Sequence, residues 1–157
     1  MKKIFFEAIS SSPGDTINCG AKLASLIESD PSLPHFIALD GDLGTGKTEF
    51  VRGFVSVAAP GSAVRSPTYT LVNEYRAAEK KLPVFHFDVY RINSEDDLYS
   101  TGFYDYPERG ICLVEWCELI PYALPESYFS VLIEKTDLVG NDRKITVTLT
   151  VPDPKED

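Results

Sequence analysis

At 157 residues the chain has room for one domain with a sizeable core, and 43% hydrophobic against 25% charged residues excludes disorder as the starting expectation. A net charge of −9, with no Lys/Arg run longer than a pair such as Lys80-Lys81, argues against a direct grip on a nucleic-acid backbone. Three cysteines without Cys-x-x-Cys spacing and two histidines, His35 and His86, argue against a zinc site or a disulfide framework.

Residues 2–9 read as a first strand. The apolar stretch Ile4-Phe5-Phe6 is broken by Glu7 and no cleavage site follows, so no signal peptide is read, and no apolar run is long enough to span a bilayer. A cytoplasmic location without membrane attachment is expected. Ser12-Pro13-Gly14-Asp15 is a helix start, with Ser12 as the cap, Pro13 in the first turn and Asp15 at the positive helix end. Ile17, Gly20, Ala21, Ala24 and Ile27 share a helical face, which predicts a helix to about Glu28. After the connection Asp30–Pro34, Phe36-Ile37-Ala38-Leu39 reads as a strand buried on both faces.

The run Gly41-Asp42-Leu43-Gly44-Thr45-Gly46-Lys47-Thr48 follows at once. It has the glycine, lysine and hydroxyl spacing of a Walker A loop, and it stands where that loop works, between a buried strand and a helix. Glycines let successive backbone N–H groups turn towards phosphates, and the helix N-terminus adds positive partial charge. Lys47 is the candidate bridge between β- and γ-phosphates, and the Thr48 hydroxyl is a candidate Mg²⁺ ligand. The next helix carries Phe50, Val51, Phe54, Val55 and Ala58 on one side. Gly53 inside it costs about 1 kcal/mol relative to Ala, a penalty that packing has to offset.

Ser66 to Tyr75 reads as a polar loop entering a strand over 70–75. Further strands are expected over 84–92 and 111–116, with a short capped helix over 94–100 between them, stopped by Gly102. Segments 128–134 and 144–151 flank Gly140-Asn141-Asp142 and predict a hairpin. Residues 1–151 are expected to form one α/β domain of the P-loop NTPase kind, with a mainly parallel central sheet, antiparallel edge strands and helices on both faces. Residues 152–157 are expected to be a charged, frayed tail.

A phosphate loop needs a carboxylate on the metal side, and two strand ends offer one. Asp88 closes Val84-Phe85-His86-Phe87, and Glu115 closes Ile111-Cys112-Leu113-Val114. Either can hold Mg²⁺, directly or through water, while the other orients the attacking water. Thr68, in Ser66-Pro67-Thr68-Tyr69-Thr70, lies where a hydroxyl can sense the γ-phosphate. Trp116 directly follows Glu115. The guanine-reading Asn-Lys-x-Asp is absent, which weighs against GTP.

Four ordered blocks carry a more specific signal. The glycine loop, then Ser66-Pro67-Thr68-Tyr69-Thr70-Leu71-Val72, then His86-Phe87-Asp88-Val89-Tyr90-Arg91, then Leu113-Val114-Glu115-Trp116 together resemble the bacterial TsaE family. The resemblance covers about residues 14–120. It implies a small cytoplasmic ATPase that binds the TsaD–TsaB heterodimer in tRNA threonylcarbamoyladenosine biosynthesis. It also implies slow ATP hydrolysis that supports or resets the transferase, with tRNA contacted only indirectly. Carried over by motif, Asp42, Leu43 and Gly44 to Thr48 bind the nucleotide, and Thr48 ligates Mg²⁺. Thr68 falls on a switch threonine, Asp88 on a Walker-B-like aspartate, Glu115 on a metal-associated glutamate and Trp116 on the adjoining tryptophan. Thr16 falls on a threonine near the base. Thr45 stands where alanine is common in the family, at a position that binds through its backbone. The alternative reading is a P-loop small-molecule kinase, against which stand the scattered single arginines and the lack of a lid-like insertion.

Overall fold

The computed structural model describes residues 1–42, 44–76, 81–136 and 140–155. In chain order their strands are β1 (Lys2–Ser10), β2 (Phe36–Asp40), β3 (Val72–Tyr75), β4 (Val84–Asp88), β5 (Ile111–Glu115), β6 (Tyr128–Lys135) and β7 (Arg143–Thr150). They form one sheet in the order β1-β7-β6-β2-β5-β4-β3. The four central strands β6, β2, β5 and β4 run parallel. Both edges are antiparallel, β7 and β1 on one side and β3 on the other. This is the α/β architecture the sequence predicts.

Helix α1 (Pro13–Ser29) starts where Ser12 Oγ accepts the Asp15 N–H at 3.1 Å. It packs with α2 (Lys47–Ala58) on one face of the sheet, over Ile37, Leu39, Leu113, Val131 and Val147. The opposite face is covered by α3 (Glu95–Ser100) and short 3₁₀ turns, which bury Phe85, Phe87, Leu98, Phe103 and Ile120. Burying β4 and β5 on both faces is what allows their near-continuous apolar sequence. The buried face of α1 is centred on Cys19, Leu23 and Ile27, with Ile17 and Ala21 only half-buried at its margin.

Gly53 has a positive reason to be in a helix. A Cβ there would collide with the Ile17 carbonyl of α1, and one at Gly20 would collide with the Phe50 carbonyl of α2. The two glycines let the helices approach backbone to backbone.

Three expected strands are shorter than their apolar patterns. The 84–92 segment leaves the sheet after Asp88, because Asp88 Oδ1 accepts the Tyr90 N–H at 2.9 Å and turns the chain. The 111–116 segment stops at Glu115, because Trp116 takes a left-handed backbone with φ of 63°. The 70–75 segment pairs only from Val72, because the N–H groups of Thr70 and Leu71 both donate to the Pro67 carbonyl in a turn. Each of these breaks falls beside the glycine loop or the strand ends next to it. Among the described residues no helix is long and apolar enough to cross a membrane.

Candidate functional site at the glycine-rich loop

β2 delivers the chain to the loop, and α2 begins at Lys47. Gly46, the residue before the helix, has φ of 110°, a conformation that would strain any side-chain-bearing residue. The first turn of α2 opens with N–H groups that have no acceptor among the described residues and with the positive end of the helix dipole, an arrangement suited to an anion. The loop is braced from inside and outside. Thr45 Oγ1 donates to the Asp42 carbonyl at 2.8 Å, and Arg143 Nε of β7 donates to the Thr45 carbonyl at 3.2 Å.

A cleft of about 620 Å³ lies against this loop, a volume in the range of small-molecule sites. It collects Thr16, Gly44, Thr45, Gly46, Lys47 and Thr48 from the base and loop, with Thr68, Asp88, Glu115 and Trp116 from the sheet side. Asp88 and Glu115 are in-register partners at the ends of adjacent parallel strands, each 8% exposed.

Their oxygens are engaged differently. Asp88 Oδ2 accepts the Thr68 hydroxyl at 3.2 Å, while Oδ1 holds the Tyr90 N–H. With its proton given to Asp88, Thr68 Oγ1 accepts in turn from Ser66 Oγ at 2.7 Å. Glu115 Oε2 meets His86 Nε2 at 2.8 Å, and Glu115 Oε1 has no hydrogen-bond partner among the described residues. Lys47, 7% exposed, has Nζ 4.7 Å from the centroid of the Trp116 ring, a cation–π distance. Tyr90 packs on that ring from 4.9 Å.

Two of the predicted residues sit differently from the rest. The buried Thr16 donates its hydroxyl to Ser10 Oγ at 2.7 Å, since Ser10 itself donates to the Ser12 carbonyl. It lines the cleft while tying β1 to α1. Asp42 is exposed and lines a neighbouring hollow with Gly41, Glu118 and Lys135 rather than the cleft. Leu43 lies outside the described residues.

The cleft also contains residues that sequence reasoning missed, chiefly Ser10, Asn141 and Arg143. His86, behind Glu115, was missed as well, although its place two residues before Asp88 puts both on one face of a strand. Asp40, at the end of β2, is pushed up to about 6 by burial and then by the neighbouring Glu118, with Lys47 opposing.

The donors at the strand ends and in the first turn of α2 suit a hard cation. Thr48, Asp88 and Glu115 offer only oxygen. Among the described residues no cluster of three or more His, Cys, Asp or Glu could enclose a metal. A site with one or two carboxylates and room for phosphate oxygens and water is the kind Mg²⁺ uses.

The family model described as "Threonylcarbamoyl adenosine biosynthesis protein TsaE" matches residues 10–145, a span that holds the cleft from Ser10 to Arg143. The chain belongs to the TsaE family. Relatives named tRNA threonylcarbamoyladenosine biosynthesis protein TsaE include one from Bacillus subtilis, 39% identical over 71% of this chain and 68% of its own length. Another, from Nostoc, is 34% identical over 93% of this chain and 86% of its own. The crystal structure of Bacillus subtilis YdiB superposes with a TM-score of 0.71 at 30% identity, covering 97% of this chain and 88% of that one. The TsaE match therefore extends beyond the four motif blocks into the β6–β7 hairpin, where the sequence alone carries little signal.

Proposed function

We propose that this TsaE-family chain binds and hydrolyses Mg-ATP, and that its cycle supports or resets a TsaD–TsaB threonylcarbamoyl transferase acting on tRNA. The observation that carries the reading is the convergence of the glycine loop, Thr68, Asp88 and the Glu115-Trp116 pair on one cleft, in a chain matched by the TsaE model over residues 10–145.

In this reading the loop from Gly44 to Thr48 cradles the β- and γ-phosphates, and Lys47 leaves the face of Trp116 to bridge them. Bound Mg²⁺ would neutralise charge on the phosphate oxygens, held by Thr48 and the strand-end carboxylates. The unequal engagement of those carboxylates divides their work. Glu115, whose Oε1 has no hydrogen-bond partner among the described residues, would take the direct metal position. Asp88, with both oxygens already accepting hydrogen bonds, acts through water and through Thr68, whose hydroxyl reports on the γ-phosphate side. The acidic balance of the chain favours protein partners over direct tRNA contact.

The test is to measure threonylcarbamoyladenosine in tRNA by mass spectrometry in a strain depleted of the protein, complemented with wild type or with Lys47→Ala. Loss of the nucleoside on depletion, restored by wild type only, is expected; normal modification after depletion overturns the pathway reading. Release of inorganic phosphate from ATP, with no phosphorylated metabolite formed, separates the ATPase from a kinase.

A further inference from the structure

His86 plays no part in the reading above, yet it is 0% exposed in the middle of a hydrophobic sheet and meets Glu115, which unlike Asp88 has one oxygen without a hydrogen-bond partner among the described residues. β4 alternates its side chains. Phe85 and Phe87 enter the core on the α3 side, while Val84, His86 and Asp88 face the side of α1 and α2. Because Asp88 pairs in register with Glu115, His86 is the diagonal neighbour of Glu115, one step deeper in the sheet.

The hydrogen-bond inventory fixes the ring. Glu115 Oε2, as a carboxylate oxygen, only accepts, so the proton of the 2.8 Å contact sits on His86 Nε2. The other ring nitrogen, Nδ1, is fully buried and has no hydrogen-bond partner among the described residues. A bare Nδ1 leaves only an unused lone pair there, whereas a proton on it would be a buried donor without an acceptor, which is costly. One tautomer meets both conditions: Nε2–H with Nδ1 bare.

A polar ring is expensive to bury among Val84, Tyr75 and Leu113 unless its bond to Glu115 matters. We infer that His86 is a positioning residue, whose Nε2–H fixes the rotamer of Glu115 so that Oε1 is presented to the cleft. Carboxylates that ligate metals are themselves held by hydrogen bonds from behind, and loss of such an outer partner typically costs about ten- to a hundredfold in metal affinity or activity. The inference rests on the reading of Glu115 as a metal-side carboxylate.

Two kinds of measurement test it. In the wild-type protein, ¹⁵N chemical shifts of the His86 ring should show a protonated Nε2 and a bare Nδ1; the reverse tautomer overturns the assignment without any variant. Then Trp116 fluorescence is titrated with Mg²⁺ at a fixed concentration of a non-hydrolysable ATP analogue, for wild type, Glu115→Gln, His86→Leu and His86→Gln. His86→Leu is expected to raise the half-saturating Mg²⁺ about tenfold or more. It should leave metal-free analogue binding unchanged. His86→Gln, whose amide can donate from near the Nε2 position, should recover most of the loss. If Glu115→Gln leaves the Mg²⁺ titration unchanged, the metal reading of Glu115 fails. If Glu115→Gln shifts it and His86→Leu does not, or if a folded His86→Gln is fully impaired, the positioning role alone fails. Should His86→Leu not fold, the tautomer and the Gln variant still decide.

Discussion

Lys47 Nζ lies over the face of Trp116, 4.7 Å from the ring centroid, so the lysine of the glycine loop rests on the residue that directly follows β5. Nucleotide phosphates would compete with the ring for the ammonium. Trp116 is the chain's one tryptophan, so its fluorescence should change when Mg-ATP binds. Lys47→Ala should abolish both this change and the thermal stabilisation by nucleotide, because a charge-assisted contact is worth about 1.5–3 kcal/mol. An unchanged thermal shift in that variant would remove the phosphate-site assignment.

Thr68→Val tests the coupling between the Ser66–Thr68 turn and the strand ends. The change keeps the shape and deletes the hydroxyl that links Ser66 to Asp88. Steady-state hydrolysis should fall clearly more than nucleotide affinity, with a stability loss of about 1 kcal/mol. Equal losses in affinity and rate would mean that Thr68 only shapes the pocket.

Asp40 gives the fold a pH dependence of predictable sign. Its carboxyl is raised from 3.8 to about 6, first by burial and then by Glu118, with Lys47 opposing, so the folded protein holds this proton more tightly than the unfolded chain. The associated stability is full below pH 3.8 and is lost as pH rises through about 6. Asp40→Asn keeps the shape and cannot ionise. Melting temperatures of variant and wild type should therefore diverge in favour of the variant as pH climbs from about 4 to 7, following the same two limits. A constant difference across that range would show that Asp40 does not titrate there.

Gly53→Ala reverses the expectation from helix propensity. Alanine should gain about 1 kcal/mol in a helix interior. Here its methyl group meets the Ile17 carbonyl, and overpacking of a tight contact costs about 1–3 kcal/mol or more where backbone must shift. Urea unfolding should show a net loss of stability; a gain would mean that α1 and α2 separate easily.

The parts of the site that were legible in the sequence are local. The glycine loop declares itself by spacing, and Asp88 and Glu115 by closing apolar runs that only a doubly covered strand tolerates. What stayed hidden depends on sheet order. Arg143 reaches the Thr45 carbonyl across 98 positions, because β7 lies two strands from β2. His86 reaches Glu115 across 29 positions, because β4 and β5 are neighbours in a particular register. The strand lengths were overread for a related reason. Apolar character continues past Asp88 and Glu115, and the chain is turned away by a carboxylate hydrogen bond and by the left-handed Trp116, neither of which leaves a periodic trace.

The pairing of β1 with β7 has a consequence for how the cleft comes into being. Lys2 aligns with Thr150 and Ser10 with Arg143, so β1 has no strand partner until β7 has been synthesised. Ser10 and Thr16, at the foot of the cleft, and Arg143, which holds the glycine loop, are thus set in place together and late. A nascent chain halted before residue 143 would possess the whole glycine motif yet lack two walls of its pocket. Competence to bind nucleotide should therefore appear only once β7 has been synthesised, as a property of the closed sheet rather than of the motif.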